Sequence, residues 1–386
     1  MYAWSAVDTD RLRSDRRHAL RDLMQRHKLS HLLLTGFDHI RYATDYRTHI
    51  AAEAFDWCAA VIDLDGEAEI FTPWVDATRR EPEPSLPWIR AIHPAPSWAP
   101  AVAHPVIWSE QLTRALRSAT RVGVEHIASC VLDRISASLP DVDFVGIGQD
   151  LYDARIRKTS DEIRLLEDAS VVNSLAAESA MRTAREGVTD HDLLADAMCS
   201  LQKSGAEFVS HSLCNHRRGS DWFAAGSVLR DGDPYFFDIG VYGRHGYASD
   251  IARTGFVGGD TRSEVKAVYR KLLTALDIAE EATRPGVRVA DIDAAVNDYL
   301  RREGVPTTPY AVGHGVGLRA CELPTIHRTD LVDRGARIVE NSVIALEPET
   351  GVEIDGELIV LKVEDNYAVE AHGVRRLSTA SYAFDL

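Results

Sequence analysis

Short apolar runs alternate with polar, helix-like stretches over the first 150 residues. Residues 11–28 predict a polar helix, and "SEQLTRALRSA" and "ASCVLDRISASLP" predict two more. Apolar runs of strand length, several of them ended by Gly or Asp-Gly, predict strands at "SHLLLTG", "WCAAVIDLDG", "AEIFTPW", "HPVIWS", "RVGVEH" and "VDFVGIG". This pattern indicates a mixed α/β domain over residues 1–154.

The residue pattern changes at Arg155, where a long helical pattern begins that Thr159 or Ser160 would cap. Beyond it, "EGVTDHDLLADAMCSLQKSG" (186–205) and "PGVRVADIDAAVNDYLRREG" (285–304) match without a gap at an offset of 99 residues. A shared helix pattern could produce this match by coincidence. Because apolar strands follow each copy, we favour a duplicated helix-strand half, two of which would pack as a pseudo-twofold sheet with a cleft between them.

Composition narrows the classes of function. The chain has 386 residues, 45% of them hydrophobic, and a net charge of −16, which suits two domains and gives no basic stripe for nucleic acid. No apolar run approaches the roughly 20 residues that a membrane helix needs. The five cysteines are scattered and odd in number, as reduced thiols in the cytoplasm would be. Charges near the N-terminus argue against a signal peptide.

Acidic and histidine residues interrupt otherwise hydrophobic strands in the second domain. They are Asp238, Asp250, His314, Glu347 and Glu364. Each alone has a plainer explanation, such as a turn former, a cap, a core histidine or a salt-bridge partner. Together they place four carboxylates where only Arg253 and Lys362 are nearby cations, and buried carboxylates need cations. An oxygen-rich site with one imidazole favours Mn²⁺, Fe²⁺, Co²⁺ or Zn²⁺, and bridging carboxylates favour two such ions.

These residues stand in motifs that resemble the pita-bread metallohydrolases, the family of methionine aminopeptidase, aminopeptidase P, prolidase and creatinase. The motifs are "DIG…GYASDIARTG", "GHGVGL", "ALEPETG" and "LKVEDN", and "RIRKTSDEIRLLEDA" is similar to the family's entry into its C-terminal domain. The resemblance implies an α/β (α+β) chain, with a creatinase-like domain at 1–154 and a pita-bread domain at 155–386. It implies a dinuclear centre held by the five residues, Glu347 as acid/base group, and a homodimer.

Three departures from the peptidase pattern bear on the substrate. Cys321 stands before Glu322 where peptidases have a histidine that contacts the substrate carbonyl or oxyanion, and a thiol is a weak donor. Asp221 stands where a second family histidine is usual. Asp238 and Asp250 are twelve positions apart, one more than peptidases usually show. His216 or His211 could replace the second histidine, or Trp222 and Phe223 could form an aromatic wall.

The leading hypothesis is a hydrolase that uses two metal ions to cleave a C–N bond of a small amide or dipeptide-like substrate, with weak activity on Xaa-Pro peptides. An ordinary Xaa-Pro dipeptidase is one alternative. Another is a lyase, since "RYATDYR", the twelve-residue spacing and "WF" resemble the family's dimethylsulfoniopropionate lyase. That enzyme has acidic residues where Gly240 and Ala320–Cys321 stand here. A metal-bearing binding protein is a third class, against which the complete ligand set argues.

Four residues are predicted to contact substrate: His216, Asp221, Trp222 and Arg253. For Arg253, three positions after Asp250, a brace behind the metal ligands is the favoured role. Cys321 is a candidate catalytic residue, although no histidine neighbours it in sequence and a packing role is favoured. Asp45, Tyr46, Arg47 and His49 could reach the cleft of a partner subunit, by analogy with creatinase-like proteins.

Overall fold

The protein forms two compact units in a computed structural model that describes residues 2–47, 58–72, 86–94, 104–215, 223–327 and 335–382. One unit is Asp8–Arg155, and the other combines Ile156–Leu386 with Met1–Val7. The sequence did not indicate that this N-terminal segment joins the second unit. There the Ser5 backbone N–H donates to Asp168 Oδ2 at 2.7 Å, and Trp4 Nε1 donates to the Ser204 carbonyl at 2.8 Å.

A six-stranded mixed sheet is the centre of the first unit, with strand order β4-β3-β2-β1-β5-β6. Its strands are β1 His31–Leu34, β2 Ala59–Asp63, β3 Ala68–Thr72, β4 Ile89–Pro94, β5 Arg121–Val124 and β6 Asp143–Gly146. Its helices are α1 Thr9–Arg26, α2 Phe37–Thr44, α3 His104–Ala115, α4 Ser129–Ser138 and α5 Gly148–Ile156. Strand β1 pairs antiparallel with β2 and parallel with β5.

One predicted strand of this unit is wrong. The run "HPVIWS" lies at the start of helix α3. Trp108, Leu112 and Leu116 follow each other at intervals of four residues and are all fully buried, so they form the apolar stripe of a helix. A short apolar run does not separate a strand from one turn of a buried helix, and here the helical spacing becomes visible only over a longer window.

The second unit contains two successive layers, each a pair of helices followed by antiparallel strands. The first layer has α6 Ser160–Thr183, α7 Asp190–Ser204, β7 Phe208–Asn215, β8 Pro234–Tyr242 and β9 Ala248–Phe256. Thr159 caps α6 in a reciprocal capping box with Glu162. Strands β7, β8 and β9 form one antiparallel sheet.

The second layer repeats this order with more strands. Its helices are α8 Ser263–Ala282 and α9 Val289–Arg302. Its strands are β10 Gly313–Gly315, β11 Glu322–Ile326, β12 Val343–Leu346, β13 Glu349–Ile354, β14 Glu357–Lys362, β15 Asp365–Glu370 and β16 Gly373–Arg376. A sheet of order β11-β10-β12-β15-β16 packs on these helices, and β13 and β14 form a separate hairpin. No helix within the described segments carries an apolar stretch that could cross a membrane.

The repeat of 99 residues marks equivalent turns in the two layers. Gly187 and Gly286 both have a positive φ, of 88° and 86°, and each stands just before the second helix of its layer. Gly205 and Gly304, also at positive φ, each follow the end of that helix. Positive φ is strained for residues with a Cβ, so the matched glycines reflect the same chain path used twice. The duplicated helix-strand half that the repeat predicted is therefore present, in a pseudo-twofold arrangement.

The two layers meet along strands β9, β14 and β15, which bring the second-layer acids to those of the first. The Glu364 N–H donates to the Ala252 carbonyl at 3.0 Å. Thr254 Oγ1 donates to the Lys362 carbonyl at 2.8 Å and accepts from the Lys362 N–H at 3.0 Å. These bonds fix the ends of β14 and β15 against β9, and the predicted ligands lie at this junction.

Candidate metal centre

Asp238 and Asp250 project from adjacent strands on the same side of the β7–β8–β9 sheet. In the antiparallel β8–β9 pair, Asp250 lies opposite Gly240, two residues from Asp238. Residues two apart on a strand face the same way, so the register brings both carboxylates together. Each aspartate is only 4% exposed, and burial of two like charges needs compensation by cations.

His314 is carried by the short strand β10 between two glycines. A Cβ at Gly313 would lie 2.3 Å from the Ala345 carbonyl oxygen, and one at Gly315 would lie 2.0 Å from that of Leu323. Only glycine therefore lets β10 pair closely with β11 and β12. His314 Nδ1 lies 3.0 Å from the Gly315 carbonyl, which can only accept, so Nδ1 carries a proton and Nε2 faces the acids.

Two glutamates from the ends of strands complete the predicted set. Glu347 follows β12 and Glu364 follows β14. His314 Nε2 lies 3.6 Å from Glu347 Oε1, 3.5 Å from Glu364 Oε1 and 4.0 Å from Asp250 Oδ2. The Glu364 side chain is 1% exposed and that of Glu347 15%. Glu347 is thus the carboxylate most open to an approaching molecule.

Two cationic side chains that were not in the predicted ligand set enter the cluster. His211 Nε2 on β7 lies 3.1 Å from an oxygen of each aspartate. Lys362 Nζ lies 2.6 Å from Asp238 Oδ2, 2.9 Å from Glu347 Oε2 and 3.4 Å from Glu364 Oε2. The sequence signal for Lys362 is its position two residues before Glu364, which on an extended chain puts both side chains on one face.

The donor set fits a divalent cation. Ligand atoms of Asp250, His314 and Glu364 lie within 4.8 Å of one another, as do those of His211, Asp238 and Asp250. Asp250 Oδ1 and both oxygens of Glu364 are buried and accept no well-aligned hydrogen bond from the described residues, although His211 Nε2 lies 3.1 Å from Asp250 Oδ1 and Lys362 Nζ 3.4 Å from Glu364 Oε2. Buried carboxylate oxygens without donors are costly unless an ion binds them. Oxygen ligands with one imidazole suit first-row divalent metals.

The pKa values of the cluster reflect burial and crowding of charge. Burial and the charge of Asp250 raise the pKa of Glu364 to about 8. Burial alone would lower the pKa of His211, but Asp250 and Asp238 outweigh it and raise the pKa to about 11. Burial would raise the pKa of Asp238, but Lys362 and His211 hold it well below its ordinary range. The acids therefore interact too strongly to ionise independently.

Buried side chains behind the acids hold the strands that carry them. Asn366 Oδ1 accepts from the Asp250 N–H at 3.1 Å and from Ser249 Oγ at 2.7 Å, and its Nδ2 donates to the Asp250 carbonyl at 2.8 Å. This amide fixes the backbone at Asp250 on both sides, and such partners orient metal ligands.

Arg253 is fully buried and does not face the cluster. Its guanidinium donates to Asp365 Oδ1 at 2.6 Å and to the carbonyls of Ala252, Glu364, Ala380 and Ser381 at 2.8–3.1 Å. These donors are directed at protein acceptors and the side chain has no exposed surface. The geometry therefore argues against the predicted contact of Arg253 with substrate and matches the brace that was favoured for it.

A match to a known family bears directly on this centre. The sequence profile of metallopeptidase family M24 matches residues 164–371, and that of the creatinase/prolidase N-terminal domain matches residues 16–157. The chain belongs to metallopeptidase family M24. It is accordingly a hydrolase of the metallopeptidase type with the pita-bread fold and a creatinase-like N-terminal domain, as the sequence motifs implied.

Named relatives and solved structures are similar to most of this chain. YkvY of Bacillus subtilis is 31% identical over 267 residues, which cover 66% of this chain and 71% of YkvY. The Xaa-Pro dipeptidase of Pyrococcus furiosus is 26% identical over 275 residues, 70% of this chain and 76% of that enzyme. The crystal structure of the prolidase from Pyrococcus horikoshii has a TM-score of 0.77 at 19% identity and covers 95% of this chain and 99% of its own. At that identity the structural match establishes the fold alone.

The residues at which this chain departs from the peptidase pattern are only partly described by the structure. Cys321 is exposed, and it lies close enough to the His314 side chain to help raise the pKa of that imidazole, so folding supplies the histidine that its sequence neighbours do not. Folding brings together residues seven apart through the β10–β11 pairing. The predicted substrate contacts His216, Asp221 and Trp222 lie outside the described residues, as does His49.

Glu322, next to Cys321, has a structural partner. Its Oε1 accepts a hydrogen bond from Lys158 Nζ at 2.6 Å, and both side chains are 2% exposed. A Cβ at Gly317 would overlap the Glu322 carboxylate, at 2.1 Å from Oε1. This buried ion pair holds the loop that places Cys321 beside His314. It could not be predicted from local sequence, because Lys158 lies 164 positions from Glu322.

Proposed function

We propose that this M24 protein cleaves a C–N bond of a small amide or dipeptide-like substrate, using two divalent ions held by Asp238, Asp250, His314, Glu347 and Glu364. The supporting observation is the convergence of buried oxygens of Asp250 and Glu364 on Nε2 of His314, which lies 4.0 Å from Asp250 Oδ2 and 3.5 Å from Glu364 Oε1. Mn, Fe, Co and Zn are the metals such ligands take. When bound, the ions would polarise the carbonyl and acidify a water molecule.

Side chains of the protein would then transfer the proton and contact the oxyanion. Glu347 is the most open carboxylate of the set and its Oε2 already lies 2.9 Å from Lys362 Nζ. It is therefore placed to accept a proton from the attacking water and deliver it to the leaving nitrogen. Cys321 is exposed at the same edge, where a better donor would stabilise the oxyanion. Its thiol is a weak donor, so we expect slow turnover of Xaa-Pro substrates.

The lyase alternative receives less support from the structure. The lyase's additional aspartate would stand at Gly240, and a Cβ there would lie 2.4 Å from His211 Cε1. His211 thus fills the space that this acid would need. A homodimer and a cytoplasmic location are further parts of the proposal, which rest on the family resemblance and on five free cysteines.

Substituting Cys321 by His tests the proposal. The purified, metal-loaded protein is assayed with Xaa-Pro dipeptides, other dipeptides, simple amides and a sulfonium acid. We expect hydrolysis of non-proline substrates, and an increase of at least about tenfold in kcat/KM for Xaa-Pro dipeptides in Cys321→His. Cys199→His, at another exposed cysteine, is the matched control and should change nothing.

Two results would contradict the proposal. If the unaltered protein prefers Xaa-Pro dipeptides over all other substrates, it is an ordinary Xaa-Pro dipeptidase despite Cys321. If it releases an alkene acid from the sulfonium substrate and hydrolyses no amide, elimination is the reaction.

A further inference from the structure

The N-terminal unit contains a cavity of about 270 Å³ whose lining shares no residue with the proposed metal centre. Most of this lining comes from helix α1, the turn between β2 and β3, and the residue before β4. Its apolar part consists of four side chains that are each at most 6% exposed: Leu20, Met24, Ala43 and Ile62. A cavity of this size is close to the lower end of the range for small-molecule sites.

Two arginines of α1 lie at one wall of the cavity, against the turn between β2 and β3. Arg17 Nη2 donates to the carbonyls of Asp65 and Gly66 at 3.4 Å. Arg21 donates to the carbonyls of Leu64 and Asp65 at 3.3 and 3.1 Å. A Cβ at Gly66 would lie 2.9 Å from Arg17 Nη2, so the glycine leaves room for the guanidinium. Neither arginine forms an ion pair with a carboxylate of the described residues, and both are charged.

The Trp88 ring holds the Arg17 guanidinium in place. The guanidinium carbons of Arg13 and Arg17 each lie 5.4 Å from the centre of this ring, which is within the range of a cation–π contact. The ring is itself anchored, because Trp88 Nε1 donates to the Thr44 carbonyl at 2.8 Å. Arg13 has a counter-ion in Asp45, whose Oδ2 lies 2.8 Å from Arg13 Nε. Arg17 is therefore an oriented cation that still lacks one.

The acids that line the cavity do not supply this counter-ion. Asp63 Oδ1 accepts from the N–H groups of Asp65 and Glu67 at 3.0 and 2.9 Å, and its Oδ2 accepts from Arg90 Nη2 at 3.2 Å. The Asp10 side chain is 95% exposed, and Asp65 is exposed as well. Because three aspartates stand around the cavity, a ligand with one negative charge is repelled less than one with two.

We propose that this cavity binds a small carboxylic acid with an apolar body. The carboxylate would lie against Arg17 and Arg21, since the flat fork of a guanidinium matches the two oxygens of a carboxylate. The apolar body would contact Leu20, Met24 and Ile62, which no polar ligand would need. No metal ligand takes part, so this inference is independent of the proposed function.

Calorimetric titration of the full-length protein with isocaproate tests the inference. Divalent metals are first removed with a chelator, so that the carboxylate cannot bind an ion at the acid cluster. We expect one site per chain, with a Kd on the order of 1 mM because the ligand has few atoms. Isocaproamide has the apolar body without the charge, and acetate has the charge without the apolar body. Each should bind at least about tenfold more weakly than isocaproate.

Arg17→Gln removes one guanidinium and should weaken isocaproate binding by at least about tenfold. Arg26→Gln is the matched control, because Arg26 is an exposed arginine of the same helix that does not line the cavity. It should leave isocaproate binding unchanged. Circular dichroism checks that each variant folds, and the comparison of the three probes on the unaltered protein tests the inference even if Arg17→Gln does not fold.

Five results overturn the inference. Absence of saturable isocaproate binding shows that the cavity takes no such acid. Equal binding of isocaproamide shows that the arginines do not recognise the charge, and equal binding of acetate shows that the apolar residues make no contact. Unchanged binding in folded Arg17→Gln places the ligand elsewhere. Tighter binding of inorganic phosphate than of isocaproate assigns the arginines to a phosphate group. Since metal is absent throughout, none of these results bears on the proposed function, which is tested by hydrolysis with the metal-loaded protein.

Discussion

Asp250 is the acid whose backbone has the best-defined support. The Asn366 side chain both donates to its carbonyl and accepts from its N–H, and also accepts from Ser249. Asn366 is fully buried, so water cannot replace these bonds. The orientation of the Asp250 carboxylate therefore depends on a residue that does not itself reach the cluster.

Asn366→Ala should lower metal affinity by about 10- to 100-fold, because groups that hydrogen-bond to the ligand-bearing backbone orient the ligands. A competition titration with a metal-binding dye measures this change. Asn297→Ala is the control: Asn297 is a buried asparagine on α9 that accepts from the Thr308 N–H at 2.9 Å. Equal loss of affinity in both variants would mean that general destabilisation is the cause.

Glu125 belongs to a second group of acidic and histidine side chains, which lies in the N-terminal unit. Its Oε2 accepts from the N–H groups of Thr35 and Gly36 at 3.0 and 2.9 Å, and its Oε1 lies 2.6 Å from His39 Nδ1. Burial would raise the pKa of Glu125, but His39 and the Gly36 N–H outweigh it and lower the pKa below the ordinary 4.5. Asp38 and His39 lie close enough to Glu125 to form a metal-like group, but Arg155 Nη1 already binds Asp38 at 2.7 Å.

Glu125→Gln should destabilise this unit by about 1–3 kcal/mol at pH 7, since it removes a buried, charged acceptor. Because the folded pKa is lowered, the stabilisation is present above pH 4.5 and is lost as the pH falls through the folded pKa. The deficit of the variant, measured by calorimetry, should thus shrink between pH 7 and pH 3. Glu69→Gln, in a Glu–His pair that is 26% and 38% exposed, should cost less than about 1 kcal/mol. If the stability deficit of Glu125→Gln instead grew as the pH fell from 7 to 3, this account would be contradicted.

At the scale of the element, strand β10 depends on its glycines. Each of the two glycines around His314 lies where a Cβ would overlap a backbone carbonyl of a neighbouring strand. Backbone cannot move aside as a flexible side chain can. The sequence "GHG" therefore describes a strand pressed between β11 and β12 with an imidazole as its one side chain.

Gly315→Ala should push β10 away from β11, destabilise the protein by about 1–3 kcal/mol, and weaken metal binding because His314 moves with the strand. Thermal unfolding and metal titration measure the two effects. Gly373→Ala is the matched control, as a Cβ at Gly373 would meet no atom within 4 Å. Normal metal binding by Gly315→Ala would show that β10 accommodates the added methyl group.

Sequence reasoning succeeds for elements and residues whose signal is local. The cap at Thr159 and the repeat at 99 residues could be read directly, and Asp238, Asp250 and His314 each stand in a recognisable motif. Lys362 was named only as a nearby cation and His211 only as a possible replacement histidine. Their contacts, and the role of Asn366, arise from strand register and from contacts across more than 20 positions. "HPVIWS" was assigned to the wrong element because six residues do not resolve its period.

For the whole molecule, the proposed ligands all belong to one of the two compact units. A ligand that binds only the folded state stabilises it by about 2.7 kcal/mol at a hundred times its Kd. This stabilisation should be concentrated where the ligands are. Each unit has its own apolar core, around Leu33 and Trp108 in one and around Phe237 and Tyr367 in the other.

Metal loading should therefore slow amide hydrogen exchange in β8, β9, β12 and β15, by up to about a hundredfold. Strands β1 and β5 should be little affected. Mass spectrometry of exchange with and without Mn²⁺ measures both. Strong protection around Asp38, His39 and Glu125 instead would place the metal in the N-terminal unit and would contradict the proposed ligand set.

The contacts of Arg253 make the acid cluster sensitive to a segment that supplies none of its ligands. Two of its five acceptors are the carbonyls of Ala380 and Ser381, and the Tyr382 ring lies 4.9 Å from its guanidinium carbon. Removal of the residues after Arg376 would leave every acid of the cluster in the chain, yet it would take away two of the five acceptors that hold the guanidinium between β9 and β15. A chain shortened at that point should therefore hold metal less tightly.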